Sequence, residues 1–380
     1  MRRSREPTAR WASGVMDSND PTTHAARNAF LDWKALVGIG VSGILLYFAF
    51  RGVDFGEVVH EISQADPWLL LAATAAATFV FWIRAWRWKS ILDPVRRGTT
   101  FRSRFAAVNI GFMANNLLPA RVGEFARAFA ISRLEPVPIV AGLSSLVIER
   151  LLDALFLVFA LFVAMALPDF PAWPDDATTD FPAIARGLGF IAGCAAIGLF
   201  LLVLFPRPVV RAIEAVITRV LPRSARRPVV DVLEAFLSGA AILRDGRLLA
   251  RAVAWTAVVW LVNTLGFWLA FLAFDLDLSL TAALFFNSAI AFAVAAPSAP
   301  GFFGVYELAA RAVLVNLWGR EASKAVGFAL GFHIAGFIPV TLMGLYYAWS
   351  MGLSLSSVAH TGEVVEEAVE RETGAGRPTP

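Results

Sequence analysis

The residues able to do chemistry in this chain sit where apolar sequence is interrupted. The run N-N-L-L-P-A-R-V-G-E-F-A-R carries Asn115, Asn116, Arg121, Glu124 and Arg127 around Pro119 and Gly123. Proline removes a backbone donor and glycine permits a turn that other residues resist, so a helix stops here and restarts. The N–H groups freed at the new helix start, near 121–123, can hold an anion with the help of the helix dipole. Arg121 beside them can clamp a phosphate through two parallel hydrogen bonds. Asn115 and Asn116 can bind hydroxyls or carbonyls without adding charge. The competing reading is an interfacial turn whose arginines are solvated or rest on lipid headgroups, and it weighs most for Arg127 and Arg133.

Two further constellations follow. V-I-E-R-L-L-D-A-L-F-L places Glu149, Arg150 and Asp153 at the head of a strongly apolar run. A charge near a helix centre costs ~2.5–3.5 kcal/mol on insertion scales and less near an end. Glu149 and Asp153 are four residues apart and share a helix face, which should look inward and meet Arg121 or Arg127. That pairing is either a structural lock or a gate and headgroup ligand. Later, A-A-P-S-A-P-G-F-F-G-V-Y-E carries Pro297, Pro300, Gly301, Gly304 and Glu307. An acid at Glu307 can bind an amine headgroup, carry a proton, or pair with Arg311. Asn263, Asn287 and His333, in apolar runs, read as internal hydrogen-bonding residues.

The elements that must position these residues are membrane spans. The chain has 380 residues, 58% hydrophobic and 17% charged, against about 25% charged in soluble domains. Its mean hydropathy is +0.64, and several apolar runs reach the ~20 residues that cross a bilayer. Spans are expected at about 35–50, 68–88, 148–167, 185–205, 252–274 and 325–351. The second ends in W-I-R-A-W-R-W-K, read as interfacial anchors. The following loop, counted from Arg84 and Arg87 to Arg102 and Arg104, is basic and therefore cytoplasmic. The acidic loops at 51–66 and 168–180 lie outside. Residues 206–251, with nine arginines and four acids, are a cytoplasmic, partly amphipathic segment.

This accounting leaves 105–147 and 282–318 each starting and finishing on one face, as re-entrant hairpins. The expected fold is an all-α polytopic membrane protein of six full spans and two re-entrant helical hairpins. Halves at about 34–170 and 183–351 form an inverted repeat, with Pro119/Gly123 and Pro300/Gly304 at matching four-residue spacing. Broken segments in matching positions of two inverted halves point to a midplane transport site. The alternative is eight ordinary helices with two kinks. Residues 1–33 are expected as a disordered cytoplasmic tail without a signal peptide, and 352–380 as an acidic tail. Both termini are cytoplasmic, at the cell inner membrane.

Composition narrows the partners. Thirty-three Lys and Arg face 30 Asp and Glu, a net charge of +3, which suggests no nucleic acid. Cys194 is the only cysteine, and His24, His60, His333 and His360 show no ligand spacing, so no metal site is expected. No G-x-x-x-x-G-K-[ST] motif or other cofactor signature occurs. The alternatives to transport are a membrane-embedded transferase with Glu124 or Asp153 as base, and a scaffold for a glycosyltransferase.

In order, N-N-L-L-P-A-R-V-G-E-F-A-R, E-R-L-L-D and A-P-S-A-P-G-F-F-G-V-Y-E resemble the membrane domain of lysylphosphatidylglycerol synthases over about 35–350. The resemblance implies a flippase domain that moves aminoacylated phosphatidylglycerol outward. In two-part synthases the aminoacyl transfer belongs to a separate cytosolic domain. This chain has only an acidic tail after Met351, so synthase activity is not expected. Stand-alone relatives found near glycosyltransferases imply other lipids, polyprenyl-linked sugars among them, and a glycosyltransferase or lipid-modifying enzyme as partner. The motif carries over Asn115, Pro119, Arg121, Gly123, Glu124, Glu149, Arg150, Asp153, Pro297, Pro300, Gly301, Gly304 and Glu307. On this reading the chain transports a membrane lipid, holds no catalytic residue and needs no cofactor.

Overall fold

A computed structural model describes residues 33–171, 245–296 and 298–373, with isolated positions at 187 and 215. The span expected at 185–205, the segment 206–244 and Pro297 lie outside the described residues, as do 1–32 and the last seven residues. Every regular element among the described residues is helical. They are α1 (Trp33–Phe50), α2 (Phe55–Gln64), α3 (Pro67–Leu92), α4 (Phe101–Leu117), α5 (Gly123–Leu134) and α6 (Ile139–Ala166). Then come α7 (Gly246–Ala273), α8 (Leu280–Ala293), α9 (Val305–Asn316), α10 (Ala322–Ser350), α11 (Leu355–Ala359) and α12 (Thr361–Thr373). Single 3-10 turns, Pro119–Arg121 and Pro300–Phe302, separate α4 from α5 and α8 from α9.

Of the described helices, α3, α7 and α10 are long and apolar enough to cross a membrane. The α1–α2 pair, bent by 81°, makes up to four. α6 is as long, at 28 residues, but carries Glu149, Arg150 and Asp153. The bundle is apolar outside as well as in its core. On α3, Phe79, Trp82 and Trp86 are about half exposed, while Arg84 and Arg87 beside them are 6% and 0% exposed. Apolar groups face outward because the surrounding medium is apolar.

Two expectations need correction. The acidic stretch 51–66 is not a plain loop. Asp54 caps α2 by accepting the Gly56 N–H at 2.6 Å, the preferred chemistry for a helix start. α2 then packs on α10, where Ser323 Oγ donates to Glu57 Oε2 at 2.6 Å. Arg84 and Arg87 are not loop residues either, because α3 continues to Leu92 and turns both inward. At the far end the acidic tail is helical in part: α12 lies on α5 and α6, with Thr361 and Val365 buried.

The packing is symmetric in an informative way. α4 packs on α5, and α8 on α9. α5 packs on α6, and α9 on α10. α3 packs on α4, and α7 on α8. α4 crosses to α10, α8 crosses to α6, and α3 and α7 lie along each other. Exchanging α3–α6 with α7–α10 leaves this set of neighbours unchanged. The two breaks match as well. Each begins at its proline and places the residue two positions on in the left-handed region, Arg121 at φ 55° and Phe302 at φ 63°. Non-glycine residues adopt this conformation uncommonly, and at a cost. α1 crosses both breaks. Ser42 on α1 donates to Phe303 O at 2.7 Å and accepts from Ala299 N at 3.2 Å.

Glycine is required at two approaches. Gly304 has φ 90°, and a Cβ there would stand 2.7 Å from Ser42 O. A Cβ on Gly123 would stand 2.1 Å from Gly111 O, so α4 and α5 touch backbone to backbone. Gly123→Ala is therefore expected to lower stability by about 1–3 kcal/mol, the usual cost of overpacking. Gly40→Ala, inside α1 with nothing within 4 Å of the added carbon, should not lower it, since alanine is the better helix former. Thermal unfolding of the purified variants in detergent checks the contrast.

Candidate functional site

Three helices, α3, α5 and α6, bring charged residues together inside the bundle. α3 supplies Arg84 and Arg87, three apart and so on one face. α6 supplies Glu149 and Asp153 one turn apart, and α5 supplies Arg127. Arg127 donates to both oxygens of Glu149, Nη1 to Oε1 at 2.7 Å and Nη2 to Oε2 at 2.9 Å. Arg87 donates to both oxygens of Asp153, and its Nη2 is 3.0 Å from Glu149 Oε1. α7 closes the site: Trp260 Nε1 donates to Asp153 Oδ1 at 2.9 Å, and Arg87 Nη1 to Thr256 Oγ1 at 3.2 Å. The Arg127 guanidinium lies 3.9 Å from the Trp88 ring centre, and Trp88 Nε1 donates to Ser145 Oγ at 2.8 Å.

These five charged side chains are all buried. Bidentate arginine–carboxylate pairs are the arrangement that best compensates such burial. Glu124 and Arg150 sit at the rim, partly exposed, 3.6 Å apart. Arg150 also stands 3.6 Å from Asp153 and 3.8 Å from Glu149.

The hairpin residues are placed differently. Asn115 Oδ1 accepts the Gly123 N–H at 2.9 Å, so the first donor of α5 is satisfied by the chain itself. Arg121 reaches across to the second break. Its Nη2 donates to Ala296 O at 3.2 Å, and its guanidinium lies 5.4 Å from the Phe302 ring centre. Glu307 is fully buried. Its Oε2 accepts the Gly304 N–H at 2.6 Å and its Oε1 is 2.6 Å from His333 Nδ1. Glu307 thus caps α9 and holds His333, which stacks on Tyr306 with ring centres 4.2 Å apart. Arg311 turns away and donates to Phe48 O and Ala49 O at the end of α1.

A cavity of about 260 Å³ is lined by residues of both sets of helices, α3–α6 and α7–α10. α3 lines it with Arg84, α4 with Phe112 and Asn116, α7 with Trp260 and Asn263, α8 with Asn287, and α10 with His333, while Phe302 comes from the second break. Asn116 Nδ2 donates to Thr341 Oγ1 at 2.9 Å, and Asn263 Nδ2 to Asn287 Oδ1 at 2.8 Å. The sequence-derived residues therefore fall into three groups. Arg127, Glu149 and Asp153 form the buried network, with Glu124 and Arg150 at its rim. Asn115, Arg121 and Glu307 organise the breaks, and Asn116 lines the cavity. Sequence reasoning missed Arg84, Arg87 and the Glu307–His333 pair. A usable signal existed for the arginines, since their three-residue spacing inside a Trp-rich run sets them on one face.

Removing one partner of such a network strands a buried charge. Glu149→Gln is expected to cost about 3–5 kcal/mol, read as a large drop in unfolding temperature. The double variant Arg127→Met, Glu149→Leu should lose less than the sum of its single changes, because both charges leave together.

A family model described as Lysylphosphatidylglycerol synthase TM region matches residues 35–344. The chain is 26% identical over 343 residues to Glycosyltransferase AglD of Haloferax volcanii, covering 84% of this chain and 53% of that protein. It is 33% identical over 123 residues to the UPF0104 membrane protein MJ1595 of Methanocaldococcus jannaschii, covering 32% of this chain and 36% of that protein. The chain thus spans about half the length of the first relative and less of the second. With its apolar helices, its apolar exterior and a match over most of its length, this multi-pass membrane protein belongs to the lysylphosphatidylglycerol synthase transmembrane-region family.

Proposed function

We propose that this protein is a transporter of the cell inner membrane that moves an anionic or modified phospholipid, or a lipid-linked headgroup, between leaflets. One observation carries the reading: two broken hairpins from two similarly packed sets of helices meet at a cavity. Arg121 bridges them through Ala296 and Phe302, and the cavity takes its walls from both sets. Irregular backbone at membrane depth is tolerated where protein buries it or where it lines a wet cavity. In this reading α4–α5 and α8–α9 are re-entrant hairpins of an inverted repeat within six spans, and both termini are cytoplasmic. Rocking of one half against the other exposes the cavity to each leaflet in turn.

The reading assigns no catalytic residue. Glu149 and Asp153 are each held by arginines, which engages the oxygens a general base would use. Energy for movement comes from the lipid gradient, or from protons through Glu124 or Glu307. A second reading is favoured by the coverage of half of a relative named a glycosyltransferase: the chain is the membrane partner of an enzyme that modifies lipid-linked substrates. In that case purified protein captures the enzyme without moving lipid itself.

Leaflet exchange in vesicles holding only the purified protein separates the two. Labelled phosphatidylglycerol, its aminoacylated form and a polyprenyl-phosphate sugar are the substrates to compare. Exchange of one of them, slowed tenfold or more by Arg121→Ala, is the expected result. Folded protein that exchanges none of them, yet pulls down a glycosyltransferase, establishes the second reading instead.

A further inference from the structure

Of the three arginines in the buried network, Arg84 is the least satisfied: two of its buried nitrogens lack a partner, against one each on Arg87 and Arg127. It is 6% exposed, and its Nε and Nη1 donate no hydrogen bond. The nearest carboxylate oxygens, Asp153 Oδ2 at 3.5 Å and Glu149 Oε1 at 3.8 Å, are already engaged at shorter range, the first by Arg87 at 3.3 Å and the second by Arg87 and Arg127. Its guanidinium stands between two aromatic faces, 5.2 Å from the Phe112 ring centre and 5.4 Å from that of Trp260. Both rings, and Arg84 itself, line the cavity. Charge balance points the same way. Three buried guanidiniums face two buried carboxylates, and at the rim Glu124 answers Arg150. One positive charge remains, at the cavity wall. Burying an arginine with unspent donors is costly unless something completes it.

We infer that Arg84 is the receptor for a phosphate-bearing anion in the cavity, seated between Phe112 and Trp260 with Asn116 and Asn263 as neutral neighbours. This rests on the reading of the cavity as the substrate compartment and gives that substrate its chemistry. Phosphate is the anionic group a bilayer supplies in quantity, and guanidinium donors suit it. A volume of about 260 Å³, below the ~300–1,000 Å³ of sites that enclose drug-sized ligands, holds a headgroup and leaves acyl chains outside. The other titratable lining group is His333, paired with Glu307. It gives the cavity a further polar contact for the rest of a headgroup.

The test is equilibrium binding to the full-length protein in neutral detergent and phosphate-free buffer. The probes are short-chain phosphatidic acid, inorganic phosphate and pyrophosphate, with short-chain diacylglycerol as the uncharged reference. Wild type is expected to bind the phosphate-bearing lipid and not diacylglycerol. Arg84→Gln should weaken binding tenfold or more, the loss expected for charge-assisted hydrogen bonds, and Arg84→Lys by less. Gly336→Trp gives a second test that leaves the network intact. Nothing lies within 4 Å of a Cβ at Gly336, which lines the cavity, so the ring fills it and should block binding. Inorganic phosphate binding as tightly as the lipid assigns the site to free anions, and a strong preference for the lipid assigns it to a headgroup. Unchanged phosphatidic acid binding by folded Arg84→Gln or Gly336→Trp overturns the proposal, as does equal binding of diacylglycerol. Binding that stands while vesicle exchange fails removes the transport reading and leaves the anion site in place.

Discussion

Charge buried in an apolar bundle is the constraint on which this structure depends. Glu149 and Asp153 lie in the middle of a 28-residue helix and reach no water. Left alone, either would cost more than a bundle of marginal stability can absorb. Arg127 and Arg87 answer them with paired hydrogen bonds, and because these arginines come from α5 and α3, satisfying the charges fixes three helices at once. α7 is drawn in through Trp260 and Thr256. The hairpin of α4 and α5 is therefore pinned at its α5 side by electrostatics. Its two helices are joined by the glycine contact that lets α4 and α5 touch, and α4 packs on α3 and α10.

The second hairpin is held by different chemistry in a similar frame. Glu307 caps the start of α9 and holds His333 on α10, while Ser42 on α1 stitches the break. One half thus uses arginine–carboxylate pairs, and the other a single carboxylate between a backbone N–H and an imidazole. The first leaves a positive surplus at the cavity and the second places a titratable pair there.

Much of this was legible in the sequence. Apolar runs gave α3, α7 and α10, and Pro119/Gly123 with Pro300/Gly304 gave the two breaks. The four-residue spacing of Glu149 and Asp153 gave one inward face, and Arg127 was among the partners that spacing suggested. Helix α2 could have been read too, because Asp54 precedes apolar positions at Phe55, Val58, Val59 and Ile62. Arg84 and Arg87 were hidden by their setting, since Trp and Arg at the end of an apolar run usually mark an interface. Their pairing with carboxylates more than sixty residues on is a tertiary fact. The same holds for Glu307 and His333, on separate helices, and for Asn115, whose side chain takes the very N–H that the sequence offered to a ligand. Local spacing shows which side chains share a face, but not what the face meets.

Access to the cavity from the two sides of a membrane tests the central claim most directly. With Cys194, the only cysteine, replaced by Ser, Gly336→Cys puts a single thiol into open space at the cavity wall. Membrane-impermeant thiol reagents are then applied to sealed vesicles from one side or the other. A compartment that alternates between leaflets predicts labelling from both sides and protection by phosphate-bearing lipid from each. Labelling from one side alone, unaffected by lipid, would contradict it.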